Sequence, residues 1–139
     1  MNLTLSITTP ERLVYNGEAR FVVVPAHDGE LGILPRHAPL VALLGTGELR
    51  VTPADGAGGK RCFFVDGGFV QVLDNKVIVL ATEAEPAEAI ERRAAEEEAE
   101  RLKREGPPGG SSVEDRGAWV VRVRVLEVRA RIARGAATG

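Results

Sequence analysis

The sequence is short of the residues from which most enzymes and nucleic-acid binders are built. It has one cysteine, Cys62, which excludes an intramolecular disulfide and a cysteine-built zinc site. Cys62 precedes Phe63-Phe64 in a strand-like run and reads as a buried, inert thiol rather than a nucleophile. Aromatic residues make up 4% of the chain, too few for platforms that stack single-stranded bases. Positive charge is not in excess: 18 Lys and Arg stand against 20 Asp and Glu, for a net charge of −2. A general nucleic-acid binder would show the opposite balance. No apolar run approaches the ~20 residues that span a bilayer. The start, MNLTLSITTPERLVYNG, lacks the basic residues and apolar stretch of a signal peptide. The expectation is a soluble, cytoplasmic protein without direct membrane insertion. Its 139 residues suit one compact domain, or a small domain with an appendage.

Two halves with different periods are present. In residues 1–84, Leu3, Leu5 and Ile7 alternate with polar neighbours, the period of a strand with one buried face. RLVYNGEARFVVVPA follows, with Asn16-Gly17 as a tight-turn signal. LVALLGTGELRVTP, KRCFFVDGGFVQVLDN and KVIVLATEAE come next, bounded by Gly45, Gly47, Pro53, Asp66-Gly67-Gly68 and Asp74-Asn75. Short strands at such spacing indicate an antiparallel β-sandwich or flattened barrel. ADGAGG, residues 54–59, reads as a hairpin tip rather than a phosphate cradle, because no helix follows and no lysine sits at phosphate-loop spacing.

Residues 85–139 change character. PAEAIERRAAEEEAERLKRE is rich in helix formers, and Pro86 suits the opening turn of a helix over about 87–105. Ala87, Ile90, Ala94 or Ala95, Ala99 and Leu102 form a small-residue face. GPPGGSS, residues 106–112, must be a turn. VEDRGAWVVRVRVLEVRARIARG carries two signals. Val121, Val123 and Val125 alternate like a strand, whereas Ala118, Val121, Val125, Val128 and Ile132 form a heptad-like stripe. A Ser112/Asp115 capping box and the placement of acidic residues early and arginines late favour a helix over about 113–134. The expected class is α+β: an N-terminal antiparallel sandwich followed by an antiparallel two-helix hairpin.

The most conspicuous stretch is GELGILPRHAPL, residues 29–40, preceded by His27 and Asp28. As an active site or metal centre, His27, Asp28, Glu30 and His37 would have to converge. No nucleophile motif accompanies them. Glycines and prolines instead fix an irregular loop, with Leu31, Ile33, Leu34 and Leu40 to anchor it or to offer contact area. A partner-binding loop is the expectation, a purely structural loop the plainer alternative. No metal site is expected.

This loop, followed by DGGFVQV after a central strand and then by the helical pair, closely resembles the epsilon (delta/epsilon) family of bacterial F-type ATP synthase subunits. The resemblance extends over nearly the whole chain. It implies a non-catalytic subunit of the rotating central stalk, joining gamma and the ring of c subunits and transmitting torque to the catalytic head of alpha and beta. The implied ring contacts are Glu30, Leu31, Ile33, Leu34, Arg36, His37 and Pro39; the family commonly has glycine where this chain has Arg36. The helical hairpin is implied to be regulatory: extended along gamma, it would obstruct hydrolytic rotation, with Arg122, Arg124, Arg129, Arg131 and Arg134 meeting an acidic segment of beta. The plainer alternative pairs these arginines with Glu96, Glu97, Glu98 and Glu100 of the neighbouring helix.

Some relatives bind ATP through a first-helix motif I/L-D-x-x-R-A. Here AIERRA, residues 89–94, aligns Arg93-Ala94 but puts Ile90 at the Asp position, and using Glu91 instead breaks the spacing. Glu91 and Arg93 are the candidates, and no cofactor is expected. The resemblance further implies a peripheral protein on the cytoplasmic face of a bacterial inner membrane. A free adaptor binding other proteins through its hairpin is the alternative function.

Overall fold

The computed structural model describes residues 1–55 and 59–138; half of the ADGAGG tip, residues 56–58, lies outside them. Two units separate at Ala87/Glu88. The first contains β1 (Leu3–Thr8), β2 (Leu13–Ala26), β3 (Gly29–Ile33), β4 (Leu40–Leu43), β5 (Thr46–Pro53), β6 (Arg61–Leu73) and β7 (Lys76–Pro86). The second holds α1 (Arg92–Glu105) and α2 (Val113–Thr138), with a short 3-10 turn at Ala87–Ala89 at the junction in sequence.

Strand order is β1-β7-β6-β5-β2-β3, and an additional β1–β2 pairing closes a ring of five strands. β3 pairs with β2, and β4 with β6. All pairings are antiparallel except β1–β7; strands so distant in sequence need no hairpin between them. Alternation fills the interior as expected: Leu3, Leu5, Ile7, Val22, Val24, Leu49, Val51, Phe63, Val65, Val70, Val77 and Val79 are fully buried. Each such aliphatic or phenyl side chain is worth about 1.5–3 kcal/mol of burial.

Three local expectations need correction. Asn16-Gly17 is no turn. β2 runs through it, because Asn16 pairs with Ser6 and Gly17 with Leu5 of β1. The Tyr15 ring covers the space beside Gly17. The turn between β1 and β2 is Thr9–Arg12, closed by Thr9 N–H donating to Arg12 O at 2.9 Å. Asp66-Gly67-Gly68 does not end a strand either. It bends β6, whose first half pairs with β5 and whose second half pairs with β4. Both glycines have positive φ, +69° and +103°, which a side chain rarely tolerates. Cys62 is half-buried, on the opposite face of β6 from inward-facing Phe63.

In the hairpin, Pro86 ends β7 opposite Phe63 rather than opening a helix. α1 begins at Arg92 because Glu91 caps it: the carboxylate accepts Arg93 N–H at 3.2 Å and Ala94 N–H at 2.6 Å. Gly106, with φ +71°, ends α1. The Ser112/Asp115 capping box forms, with Ser112 N–H to Asp115 Oδ2 at 3.3 Å and Asp115 N–H to Ser112 Oγ at 3.1 Å. α2 is helical throughout and continues past Arg134 to Thr138. Ala95 and Ala99 are the buried residues of α1, while Ala94 is exposed.

The stripe of α2 that meets α1 is not the expected one. Trp119, Val123, Leu126, Ala130 and Ala133 recur at four, three, four and three residues. Glu127 and Arg129, which pair with Lys103 and Glu98 of α1, flank that stripe. Trp119 Nε1–H also donates to Leu102 O at 3.0 Å. Ala118, Val121, Val125, Val128 and Ile132 fall on the other side of α2; Ala118 and Val121 are exposed, the other three buried. Apolar residues on both sides hide the true seam from a single-stripe reading.

Candidate docking surfaces

β3 divides the conspicuous stretch by its own alternation. His27 and Asp28 precede the strand and His37 follows it, so the chemistry-bearing side chains flank β3 at opposite ends. Among the described residues no three His, Cys, Asp or Glu side chains gather where they could hold a metal ion. Inward positions on β3 are Leu31, half-buried against the core, and Ile33, 0% exposed within it. Ile33 therefore cannot be a contact residue in this fold; a two-residue period carries it inside. Outward positions are Glu30 and Gly32, the latter under the Phe21 ring.

After β3 the loop turns outward. Leu34 is 58% exposed, Arg36 and Pro39 are exposed, and His37 is half-buried. Leu34–His37 is a turn closed by His37 N–H donating to Leu34 O at 3.1 Å. His37 Nδ1 lies 2.7 Å from Ala38 O. Glu30 pairs with Arg50 of β5 at 2.8 Å. The hydrogen bond from the guanidinium, with its charge, holds the Glu30 carboxyl below the ordinary value and raises Arg50.

A second surface is missed by the sequence reading. On the outward face of β4, β6 and β7, Leu43 opposes Phe69 and Phe69 opposes Leu80. These three are 54%, 52% and 52% exposed, and Val41, Leu73 and Ile78 extend the apolar area around them. Next to this rung lies an open cleft of about 400 Å³ lined by Thr8, Thr9, Pro10, Gly68, Phe69, Leu80, Ala81 and Thr82. The signal is there in the chain: FVQVL and KVIVLA are apolar on both faces of the strand, as strands covered on both sides are. Exposed apolar area of this kind marks a protein-binding site.

On the hairpin, Arg122, Arg124 and Arg131 are exposed. Arg129 pairs with Glu98 at 3.6 Å and Arg134 with Glu96 at 3.5 Å. Glu96 is held below the ordinary carboxyl value, first by its hydrogen bond to Arg92 and further by Arg134. Glu91 spends both carboxylate oxygens on the α1 cap, and Arg93 is exposed.

A closed sandwich with an exposed turn and an apolar sheet face, followed in sequence by a helical hairpin, defines a protein-docking module. The family model of the ATP synthase delta/epsilon chain β-sandwich domain matches residues 2–87, and the chain belongs to that family. It is 47% identical over 100 residues to the ATP synthase epsilon chain of Desulforudis audaxviator, covering 72% of this chain and 71% of that one. To the epsilon chain of Desulforamulus reducens it is 44% identical over 113 residues, covering 79% and 81%. Its fold matches a chain in the Euglena gracilis mitochondrial ATP synthase OSCP/F1/c-ring structure, with a TM-score of 0.76, 21% identity, and coverage of 99% of this chain and 82% of that chain. A chain of the Tetrahymena thermophila central stalk/c-ring structure matches with a TM-score of 0.60 at 14% identity, covering 96% and 97%. No helix among the described residues is long and apolar enough to cross a membrane.

Proposed function

We propose that the sandwich is a two-sided coupler. Glu30 on the outer face of β3 and Leu34, Arg36, His37 and Pro39 after it meet the ring of c subunits, with Leu31 turned inward beneath them, and the Leu43–Phe69–Leu80 face seats on gamma. The observation that carries the reading is that rung: three large apolar residues in register, each about half exposed, on a sheet whose inner face is already filled. Such a surface gains from being covered. The chain then sits peripherally at the membrane, on the cytoplasmic face of a bacterial cell, held there by the rotor.

The hairpin is the regulatory part. Arg122, Arg124 and Arg131 present positive charge at its surface, and opening it releases Arg129 and Arg134 from Glu98 and Glu96 for acidic residues of the catalytic head. Surface pairs of that sort are screened by water and hold weakly, so the exchange costs little. The reading assigns no cofactor. Glu91 serves the α1 cap, which takes from Arg93 the acidic companion a nucleotide site would need.

The test is binding of full-length variants to purified gamma and to detergent-solubilised c-ring. Phe69→Glu with Leu80→Glu should weaken gamma binding by at least ~100-fold, the loss expected at a buried anchor, while leaving ring binding and far-UV circular dichroism intact. Leu34→Asp should weaken ring binding and spare gamma. Loss of the β signal in Phe69→Glu would assign that side chain to the fold and overturn the gamma face.

A further inference from the structure

We propose that Asn75 is a positioning residue for the ring-facing turn, holding Arg36 in a backbone conformation that arginine does not favour; the inference rests on the ring-contact reading above. Leu34-Pro35-Arg36-His37 closes with His37 N–H on Leu34 O. Pro35 presets a negative φ at the second position, and Arg36 at the third has φ +70°. That is the pattern of a type II turn, whose third position glycine fills best. With a Cβ, the left-handed conformation crowds the following carbonyl. The residue needs an outside hold.

Asn75 supplies it. The turn's own bond does not use the Arg36 N–H, which instead donates to Asn75 Oδ1 at 2.6 Å, across 39 residues of sequence. Asn75 is itself fixed. It stands with Asp74 in the two-residue turn between β6 and β7, where φ is +48° at Asp74 and +64° at Asn75, and Leu73 pairs with Lys76 directly beneath. Asparagine tolerates that conformation well. Its backbone carbonyl accepts Thr4 N–H at 2.8 Å, and its Nδ2 lies 3.2 Å from Met1 Sδ. One side-chain carbonyl on a firm hairpin end is thus aimed at the amide of a strained turn.

Without that acceptor the Arg36 amide is left to water and the turn is free to take other shapes. Leu34, Arg36 and His37 then lose their fixed presentation. With glycine in place of Arg36 the turn needs no tether. Positions 36 and 75 should therefore be coupled: loss of the Asn75 acceptor matters because residue 36 carries a side chain.

The experiment uses the full chain with Arg36→Gly, Asn75→Gly, Asn75→Asp and the Arg36→Gly/Asn75→Gly double variant. Glycine at position 75 preserves the positive φ of the hairpin, and aspartate preserves an acceptor. Amide hydrogen exchange at residue 36 should be about three- to tenfold faster in Asn75→Gly, the range of one hydrogen bond's net contribution, and restored in Asn75→Asp. Binding to detergent-solubilised c-ring should weaken by a similar factor in Asn75→Gly, yet differ little between Arg36→Gly and the double variant. Unchanged exchange at residue 36 in Asn75→Gly overturns the proposal. So does an equal loss of binding on Asn75→Gly whether position 36 holds its native arginine or the Arg36→Gly substitution, which means that Asn75 serves only its own turn. If exchange responds while ring binding stays constant in every variant, Leu34→Asp included, the ring-contact reading fails instead.

Discussion

The sandwich and the hairpin are held together by different means. In the sandwich, Leu3, Leu5, Ile7, Val22, Phe63 and Val70 are removed from water completely, each locked into a strand with partners on both sides. In the hairpin the buried positions of α1 are Ala95 and Ala99, and their counterparts on α2 include Ala130 and Ala133. A buried methyl or methylene is worth ~0.8 kcal/mol, against about 1.5–3 for a large aliphatic side chain. Cross-helix pairs such as Lys103–Glu127 and Arg129–Glu98 add little, being partly exposed to water. A unit built on large side chains suits the transmission of torque. The hairpin seam, which sets Ala95 and Ala99 against Trp119, Val123, Leu126, Ala130 and Ala133, holds fewer large side chains and opens at lower free energy than the sandwich.

The comparison breaks most sharply at Gly68. Its φ of +103° is strained for any side chain, and a Cβ there would stand 1.9 Å from Leu80 O, a backbone atom within a pairing that cannot move aside. Gly68→Ala should destabilise the sandwich by roughly 4 kcal/mol or more, in the range reserved for strain at special backbone positions. Thermal unfolding followed by the β signal in circular dichroism measures it. An unchanged midpoint would mean that β6 can shed its bend, and that the sandwich is less rigid than its burial implies.

The matching change in the hairpin should be milder and local. Ala99→Leu adds three heavy atoms where α1 and α2 approach over small residues, an overpacking that costs about 1–3 kcal/mol. Trp119, whose indole donates to Leu102 O at the end of the same seam, is the chain's one tryptophan and reports on it by fluorescence. The Trp119 transition should move to lower denaturant while the sandwich transition stays in place. A common shift of both would show that the two units unfold as one.

What the sequence reveals follows the clarity of its periods. Alternation at Leu3, Leu5 and Ile7 and the change of composition near Pro86 are enough for a sandwich followed by two helices. Asn16-Gly17 misleads because a turn signal speaks only for local preference, and pairing with Ser6 and Leu5 overrides it. Ile33 is misassigned as a contact because the stretch reads as one loop, whereas five of its residues are a strand that sends every second side chain inward. Phe69 and Leu80 stay hidden for a different reason: an apolar residue in a strand reads as core until the opposite face is known to be full. The seam of α2 is concealed by its two stripes, which the ion pairs at Glu127 and Arg129 and the Trp119 bond to Leu102 tell apart.

The smallest effect sharpens the comparison through pH. Glu30 in the sandwich and Glu96 in the hairpin are both held below the ordinary carboxyl value of 4.5 by arginines, Glu30 by Arg50 and Glu96 chiefly by Arg92. A carboxyl depressed in the folded state adds stability above its unfolded pKa and loses it as pH falls through the folded one. Both contributions should therefore be present above the ordinary value of 4.5 and fade as pH falls through the lowered folded values. The Glu30 side chain is 58% exposed and Arg50 32%, so solvent screening limits that pair to ~0–1 kcal/mol. Glu30→Gln should lower the sandwich midpoint slightly near neutrality and not at all in acid, leaving Trp119 fluorescence unaltered. Glu96→Gln should do the reverse, moving the Trp119 transition near neutrality and sparing the β signal. A loss in Glu30→Gln that persists undiminished in acid would mean that its side chain acts by packing rather than by charge.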